Sequence, residues 1–430
     1  MKRFLKAASV ILSALIVFSS LGIAVYSSAE TANAPAQYKN EYPYVFVHGL
    51  NGWGGGEGIN GIVPYWGATT GDLTEYLRSE GYECYSASVG PISSAWDRAC
   101  ELYAQLTGTV VDYGEAHSLA HNHRRYGRSY DEPLFEGWGE RNSDGNIKKI
   151  NLIGHSFGGT TARMLAYLLT YGCEDEVNAS GENVSPLFTG GKEYLVCSVT
   201  TIATPHNSAT TYKFVRDTGL YELFRVFSAA YCCTLGRSLF NGRLVDFHLE
   251  QFGITNTPGE RDSDEYFSSL INFLKNSDDT CEYDLTPDGT AKLNGMIETS
   301  PNIYYFSYAF DATHDTGLAG LRLPDITGNP IIAPLGLWIC LYPEYADKTT
   351  GQVYDESWRA NDLLCNTISE TYPFDEEHVD YDFSEEPETG IWNVMPVQKG
   401  DHGQAIGLLS SKDKTRGFFL ELSEALNELS

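Results

Sequence analysis

The stretch from Lys149 to Ala166 constrains this chain more than any other. It runs Lys149-Ile150-Asn151-Leu152-Ile153, then Gly154-His155-Ser156-Phe157-Gly158, then Gly159-Thr160-Thr161-Ala162-Arg163-Met164-Leu165-Ala166. A short apolar run ends at Gly-x-Ser-x-Gly, and a helix-forming run follows at once. That order predicts a strand, a tight turn and a helix, with Ser156 exposed on the turn in a strained backbone conformation. The glycines leave room for the turn, and the helix N-terminus aims its dipole at charge developing beside the serine. In a chain with 42 glycines the five-residue pattern alone is weak, so the strand and helix around it carry the weight.

The N-terminus reads as an export signal over residues 1–29. Lys2, Arg3 and Lys6 precede an apolar run from Ala7 to Val25, and Ser27-Ser28-Ala29 offers a small-x-small cleavage site. Ala32-Asn33-Ala34 is a second cleavage candidate, weakened by Pro35, and an uncleaved anchor is the minority reading. Residues 30–37 read as a linker, and 38–430 as a single catalytic domain without repeats or a Pro-rich hinge. With 57 Asp and Glu against 29 Lys and Arg, the formal charge is −28. Such a surface repels nucleic acid and anionic membranes but not neutral esters. Nine cysteines is an odd number, and none forms a CxxC pair, which argues against a zinc ribbon or a dense disulfide framework.

Apolar runs at Tyr44–Val47, Tyr82–Ser88, Asn151–Ile153, Tyr194–Ile202 and Ile303–Tyr308 predict strands. Helical patterns at Thr70–Gly81, Trp96–Leu106, Thr160–Tyr171 and Phe418–Leu429 alternate with them. Strands alternating with helices predict an α/β fold: a mostly parallel sheet flanked by helices, with functional groups at the carboxyl ends of the strands.

A serine hydroxyl needs a base and an orienting acid, which in this architecture follow it in the order acid, then histidine. Five histidines follow Ser156: His206, His248, His314, His378 and His402. His402 lies in a loop after the apolar segment Ile391–Val397 and suits the general base, whereas His378 sits in an acidic, solvated-looking stretch. Asp362 is the candidate acid, although composition alone does not select it. Backbone N–H groups of Phe157 and of Leu50, after His48-Gly49, are placed to hold an oxyanion.

Here the chain resembles a family. Tyr44–Gly54, Trp96–Tyr130, Ile150–Leu168, Thr200–His206, Asp279–Tyr305 and the Asn361-Asp362 region look like the thermoalkalophilic bacillar lipases and their staphylococcal relatives. The most specific stretch is Trp96–Leu106, followed by Val111-Asp112-Tyr113-Gly114 and His117. The resemblance implies a secreted α/β-hydrolase acting on triacylglycerols at an interface; no stretch after the export signal is long and apolar enough to span a bilayer, so no stable membrane insertion of the mature chain is expected. It implies Ser156, Asp362 and His402 as the triad, Leu50 and Phe157 as the oxyanion hole, and a helical lid over about 207–245. It also implies a zinc-binding insertion, with structural zinc held by Asp97, His117, His123 and Asp279, a closed neutral set for a divalent cation. Spacing alone would mislead: His117 and His121 share a helical face, whereas His117 and His123 need a bent segment.

Three departures stand out. The family's elbow has Ala and Gln where this chain has Gly154 and Phe157. Its catalytic Asp is followed by Gly, here Leu363. Its calcium site needs acidic residues soon after the histidine, and Gly403–Leu409 offers none, so calcium is doubtful. Leu220, Leu223, Phe224 and Phe227 fall on one helical face, expected either as lid or as core. The alternatives are a short-chain esterase or polyester hydrolase of the same family, an acyltransferase, and a non-catalytic binding protein.

Overall fold

Seven parallel strands form the central sheet. The computed structural model describes residues 39–142, 145–236, 244–255, 263–318, 320–383 and 385–430. The strands are β1 (Tyr44–Val47), β2 (Cys84–Ala87), β3 (Ile150–His155), β4 (Val196–Ile202), β5 (Tyr304–Tyr308), β6 (His378–Asp380) and β7 (Trp392–Val394). Their order is β6-β7-β5-β4-β3-β1-β2, with every neighbouring pair parallel. The expected export segment and linker, and residues 237–243 of the expected lid, lie outside the described residues.

The flanking helices are α1 (Leu73–Ser79), α2 (Ala95–Thr107), α3 (Glu115–His121), α4 (Phe157–Tyr171), α5 (Thr210–Asp217), α6 (Tyr221–Leu235), α7 (Ser263–Asn276), α8 (Ala333–Cys340) and α9 (Lys412–Asn427). Their starts follow capping chemistry. Asp72 accepts from Thr74 N and Glu75 N, and Ser94 and Ser411 accept from Asp97 N and Lys414 N. Gly108, at φ 64°, ends α2. None of the described helices is long and apolar enough to cross a membrane.

β3 and β4 are buried along their whole length, as strands covered on both faces must be. Alternation then splits the core in two. Val45 and Val47 join one cluster with Leu102, Leu165 and Leu168, while Tyr44 and Phe46 join another with Trp66, Phe419 and Leu426. Phe46 packs edge-on to Trp66 at 4.9 Å, and burying a ring such as Phe419 is worth about 2 kcal/mol.

Two differences from the sequence expectations have physical reasons. α4 begins at Phe157 rather than Thr160, because poor helix-forming glycines occupy its first turn. β6 escapes the pattern because it is a three-residue edge strand with exposed ends; its His378 is exposed and stacks on Tyr372 at 3.6 Å. All nine cysteines are free thiols, seven of them buried, so they act here as small hydrophobes.

Candidate active site

The carboxyl ends of β1, β3 and β4 meet at Ser156. Between β3 and α4 this residue adopts φ 55° and ψ −131°, the strained conformation the motif predicts. Its N–H donates to Ile202 O at 2.9 Å, and Thr204 Oγ1 donates to its carbonyl at 2.9 Å, so the strain is held from both sides. A Cβ on Gly154 would run into Gly158 and Gly159, which explains why this turn carries glycine there rather than alanine. A Cβ on Gly49 would lie 2.7 Å from Ser156 Cβ. The loop after β1 therefore passes directly against the serine.

Phe157 opens α4, so its N–H is among the unpaired donors of the helix start. Its ring is fully buried beneath the Arg98 guanidinium at 5.4 Å. Leu50 follows Gly49 in the facing loop. Arg98 ties the two sides together. Its Nε donates to Thr161 Oγ1 at 2.8 Å, its Nη1 to Gly90 O at 2.8 Å, and its Nη2 to His48 O. Burial alone, with no acid bonded to it, pulls this guanidinium down to about 10.

Asp362 and His402 meet 40 residues apart in the chain. His402 Nδ1 donates to Asp362 Oδ2, and His402 N donates to Asp362 O at 2.9 Å. Asp362 Oδ1 accepts from Leu364 N at 2.9 Å and Cys365 N at 2.6 Å. Leu363, where the family has glycine, sits at φ 73°, a conformation costly for leucine. Its side chain fills the space left by Gly328 and Gly336, so packing offsets the strain.

The other histidines have structural partners. His206 is buried against Trp392 and bonded to Thr201 Oγ1 at 3.1 Å. His248 donates to Glu101 at 2.9 Å, and the exposed His314 pairs with Asp325 at 2.7 Å. Sequence reasoning missed His155 and Tyr65. His155 Nε2 donates to His402 O at 3.0 Å, so its Nδ1 accepts from Tyr65 Oη at 2.7 Å. Gly49 N donates to the same Tyr65 oxygen at 2.9 Å. This chain of bonds links the loop after β1 to the histidine loop through the residue preceding the nucleophile. Burial and the nearby His402 hold His155 well below the usual imidazole range, so it stays neutral.

A second polar cluster lies between α2, α3 and the loop at Asp279. His117 Nε2 is 3.2 Å from Asp97 Oδ1 and 3.3 Å from Asp279 Oδ2, and His123 Nε2 is 3.2 Å from Asp279 Oδ2. Asn122, at φ 54°, ends α3 and turns His123 back beside His117. This is the bend that spacing could not supply; His121 points instead to Asp278 at 3.0 Å. His123 Nδ1 donates to Arg124 O at 2.8 Å, which leaves Nε2 as a bare acceptor. That Nε2 and Asp97 Oδ1 are buried without hydrogen-bond partners. Burial, with the Asp279 charge behind it, pushes Asp97 up. A divalent cation satisfies all of these atoms at once, so the donor set fits one.

A family model described as "Lipase-like, C-terminal domain" matches residues 40–428. The chain belongs to this lipase-like family. It is 36% identical to a Staphylococcus hyicus lipase over 391 residues, which is 89% of this chain and 56% of the relative. It thus spans about half the length of the curated relatives it matches. Among solved structures it is similar to EstA from Clostridium botulinum, with a TM-score of 0.79 and 32% identity over 97% of this chain and 98% of the other. It is also similar to lipase 1 from Pelosinus fermentans, with a TM-score of 0.76 and 37% identity over 91% of this chain and 100% of the other. The lipase-like assignment agrees with the parallel sheet and with the tight strand–turn–helix at Ser156.

Proposed function

We propose that this chain is a secreted serine carboxylic-ester hydrolase, a triacylglycerol lipase with one catalytic domain over 38–430. The observation that carries the reading is the buried Asp362–His402 pair, joined through His155 to a strained Ser156. His402 takes the Ser156 proton as Oγ attacks the ester carbonyl carbon. The N–H groups of Leu50 and Phe157 hold the resulting oxyanion. Collapse breaks the ester bond, and His402 returns the proton to the leaving alcohol. Water, deprotonated by His402, then attacks the acyl-enzyme and releases the acid and free Ser156. Ser156→Ala with undiminished turnover of a p-nitrophenyl ester would refute this.

Residues 1–29 serve as the export signal, and the region of α5 and α6 serves as the lid. Tyr231 on α6 donates to Asn51 O at 2.8 Å, so opening this helix would disturb the oxyanion loop. Asp97, His117, His123 and Asp279 would hold structural zinc. The four residues come from α2, α3, the turn after α3 and the Asp279 loop, so a bound ion would tie these elements together without entering the ester chemistry.

A polyester hydrolase or short-chain esterase is the second reading, and an exposed apolar segment suits its polyester form. Between Gly320 and Pro343 only Arg322 and Asp325 are charged, and Ile326, Ile331, Leu337 and Leu341 are exposed. The inner side of this segment rests on Leu363, beside the acid. Comparing an emulsified long-chain triglyceride, a polyester film and a soluble short ester separates the two readings.

A further inference from the structure

A third buried acid stands beside the Asp362–His402 pair, and the reaction outlined above does not use it. Glu370 closes the short turn Thr367–Glu370 and has no exposure to solvent. Its Oε2 accepts from Phe310 N at 2.7 Å. Its Oε1 has no donor among the described residues, yet the carboxyl lies against that of Asp362. Asp362, Cys365, Glu370 and His402 each place a polar atom within 4.8 Å of the others.

Two carboxylates in contact in a dry site cannot both ionise, so one holds a proton. The partners decide which. Asp362 accepts from two backbone N–H groups and from His402, all of which favour its anion. Among the described residues Glu370 accepts from one N–H and meets no cationic side chain. Asp311, the next acid along, is itself neutralised by Arg322 at 2.7 Å and Lys399 at 3.0 Å. In the packed turn Glu356–Arg359, Arg359 reaches away to Glu344 and Gly320 O. Burial and then the Asp362 charge hold the Glu370 carboxyl well above its usual range. The buried Cys365 thiol is pushed up as well and adds no charge.

We propose that Glu370 stands protonated and donates its carboxyl proton to Asp362, acting as a positioning residue for the acid–base pair. This rests on the reading of Asp362 and His402 as that pair. The O–H···O⁻ bond is of the charge-assisted kind and adds a fourth donor to Asp362, fixing the carboxylate against His402 Nδ1. At alkaline pH Glu370 ionises, two anions face each other, and the geometry is lost.

The test uses the full chain and a soluble p-nitrophenyl ester across pH. Glu370→Gln keeps a donor and cannot ionise. It should hold kcat within about threefold of wild type at neutral pH and carry activity further into the alkaline range. Glu370→Leu cannot donate and should lower kcat about tenfold or more with KM nearly unchanged. An infrared difference spectrum, wild type minus Glu370→Gln at neutral pH, should show the C=O stretch of a protonated carboxyl. If that band is missing, or if the Leu variant matches wild type in kcat and pH profile, the proposal is overturned. Should the Leu variant not fold, the Gln pH profile and the infrared band still decide. Full activity in Asp362→Asn would overturn the triad reading and the positioning role with it, whereas the infrared band reports the Glu370 proton independently of either.

Discussion

Two buried clusters in this protein are built from the same chemistry. Asp362, Cys365, Glu370 and His402 form one; Asp97, His117, His123 and Asp279 form the other. They differ in what is left over. Around Asp362 both oxygens are met by protein donors, and His402 supplies the decisive one. Around Asp97 one oxygen has no donor, and His123 offers a bare nitrogen to the same space. A carboxylate satisfied by an imidazole N–H is equipped for proton transfer, whereas carboxylates and imidazoles left with converging lone pairs ask for a cation. Residue type does not separate the two cases, and hydrogen-bond accounting does.

The sharpest way to break that contrast is to remove the proposed nucleophile or its proposed acid. Ser156→Ala should cut kcat/KM about 10⁴-fold or more, and Asp362→Asn about 10³- to 10⁴-fold, with the metal content of both unchanged. Loss of bound metal in Asp362→Asn would mean that the clusters are not independent.

The converse variant acts on the other cluster. Asp279→Asn should weaken metal binding at least about 100-fold, read by metal analysis after dialysis. The loss of the cross-link should destabilise the fold by about 2–4 kcal/mol, seen as a lower Tm, while the residual folded enzyme keeps its triad. An unchanged Tm in chelator would show that α2 and α3 need no ion.

Tyr65→Phe tests the link between the loops. Gly49 N and His155 Nδ1 both lose their partner, and kcat should fall by about tenfold, roughly 1–2 kcal/mol, with little change in KM. A larger change in KM than in kcat would place the network in substrate binding instead.

Stability against pH gives a fourth measurement. Glu370 holds its proton when folded and releases it at a lower pH when unfolded, so the unfolded state binds fewer protons. Its contribution to stability therefore falls as pH rises above the ordinary carboxyl range. Glu370→Gln should remove that slope, its Tm advantage over wild type growing from pH 5 to pH 8. A gap that stays constant would mean Glu370 does not change protonation on unfolding.

The smallest effect is expected at Asn122. Glycine tolerates the left-handed conformation that turns His123 toward His117 and Asp279, so Asn122→Gly should change stability by no more than about 0.5 kcal/mol. Asn122→Val should cost more and weaken metal binding, since a β-branched residue resists that conformation.

Much of this was legible in the chain. The elbow is a local object: strand, glycine turn and helix are adjacent, and glycine content plus apolar runs reveal them. The strands around it were legible for the same reason, except for β6, whose three residues carry almost no pattern. Asp362 was different. Nothing local marks it among 57 acids, and only resemblance pointed to it. His155 was not legible, because its partners lie 90 and 247 residues away; Glu370 was not legible either, because its burial against Asp362 and its bond from Phe310 N come from the folded turn and not from any local pattern.

The sequence by itself therefore determined the α/β order, the nucleophile candidate and the acidic, neutral-ester-compatible surface. These depend on neighbours within a turn or a strand, where spacing is geometry. Tertiary structure alone decided which acid meets His402, how His155 and Tyr65 link the loop after β1 to the histidine loop, and how Leu363 trades backbone strain for packing. Those outcomes depend on elements brought together across the sheet, where distance along the chain says nothing about distance in space.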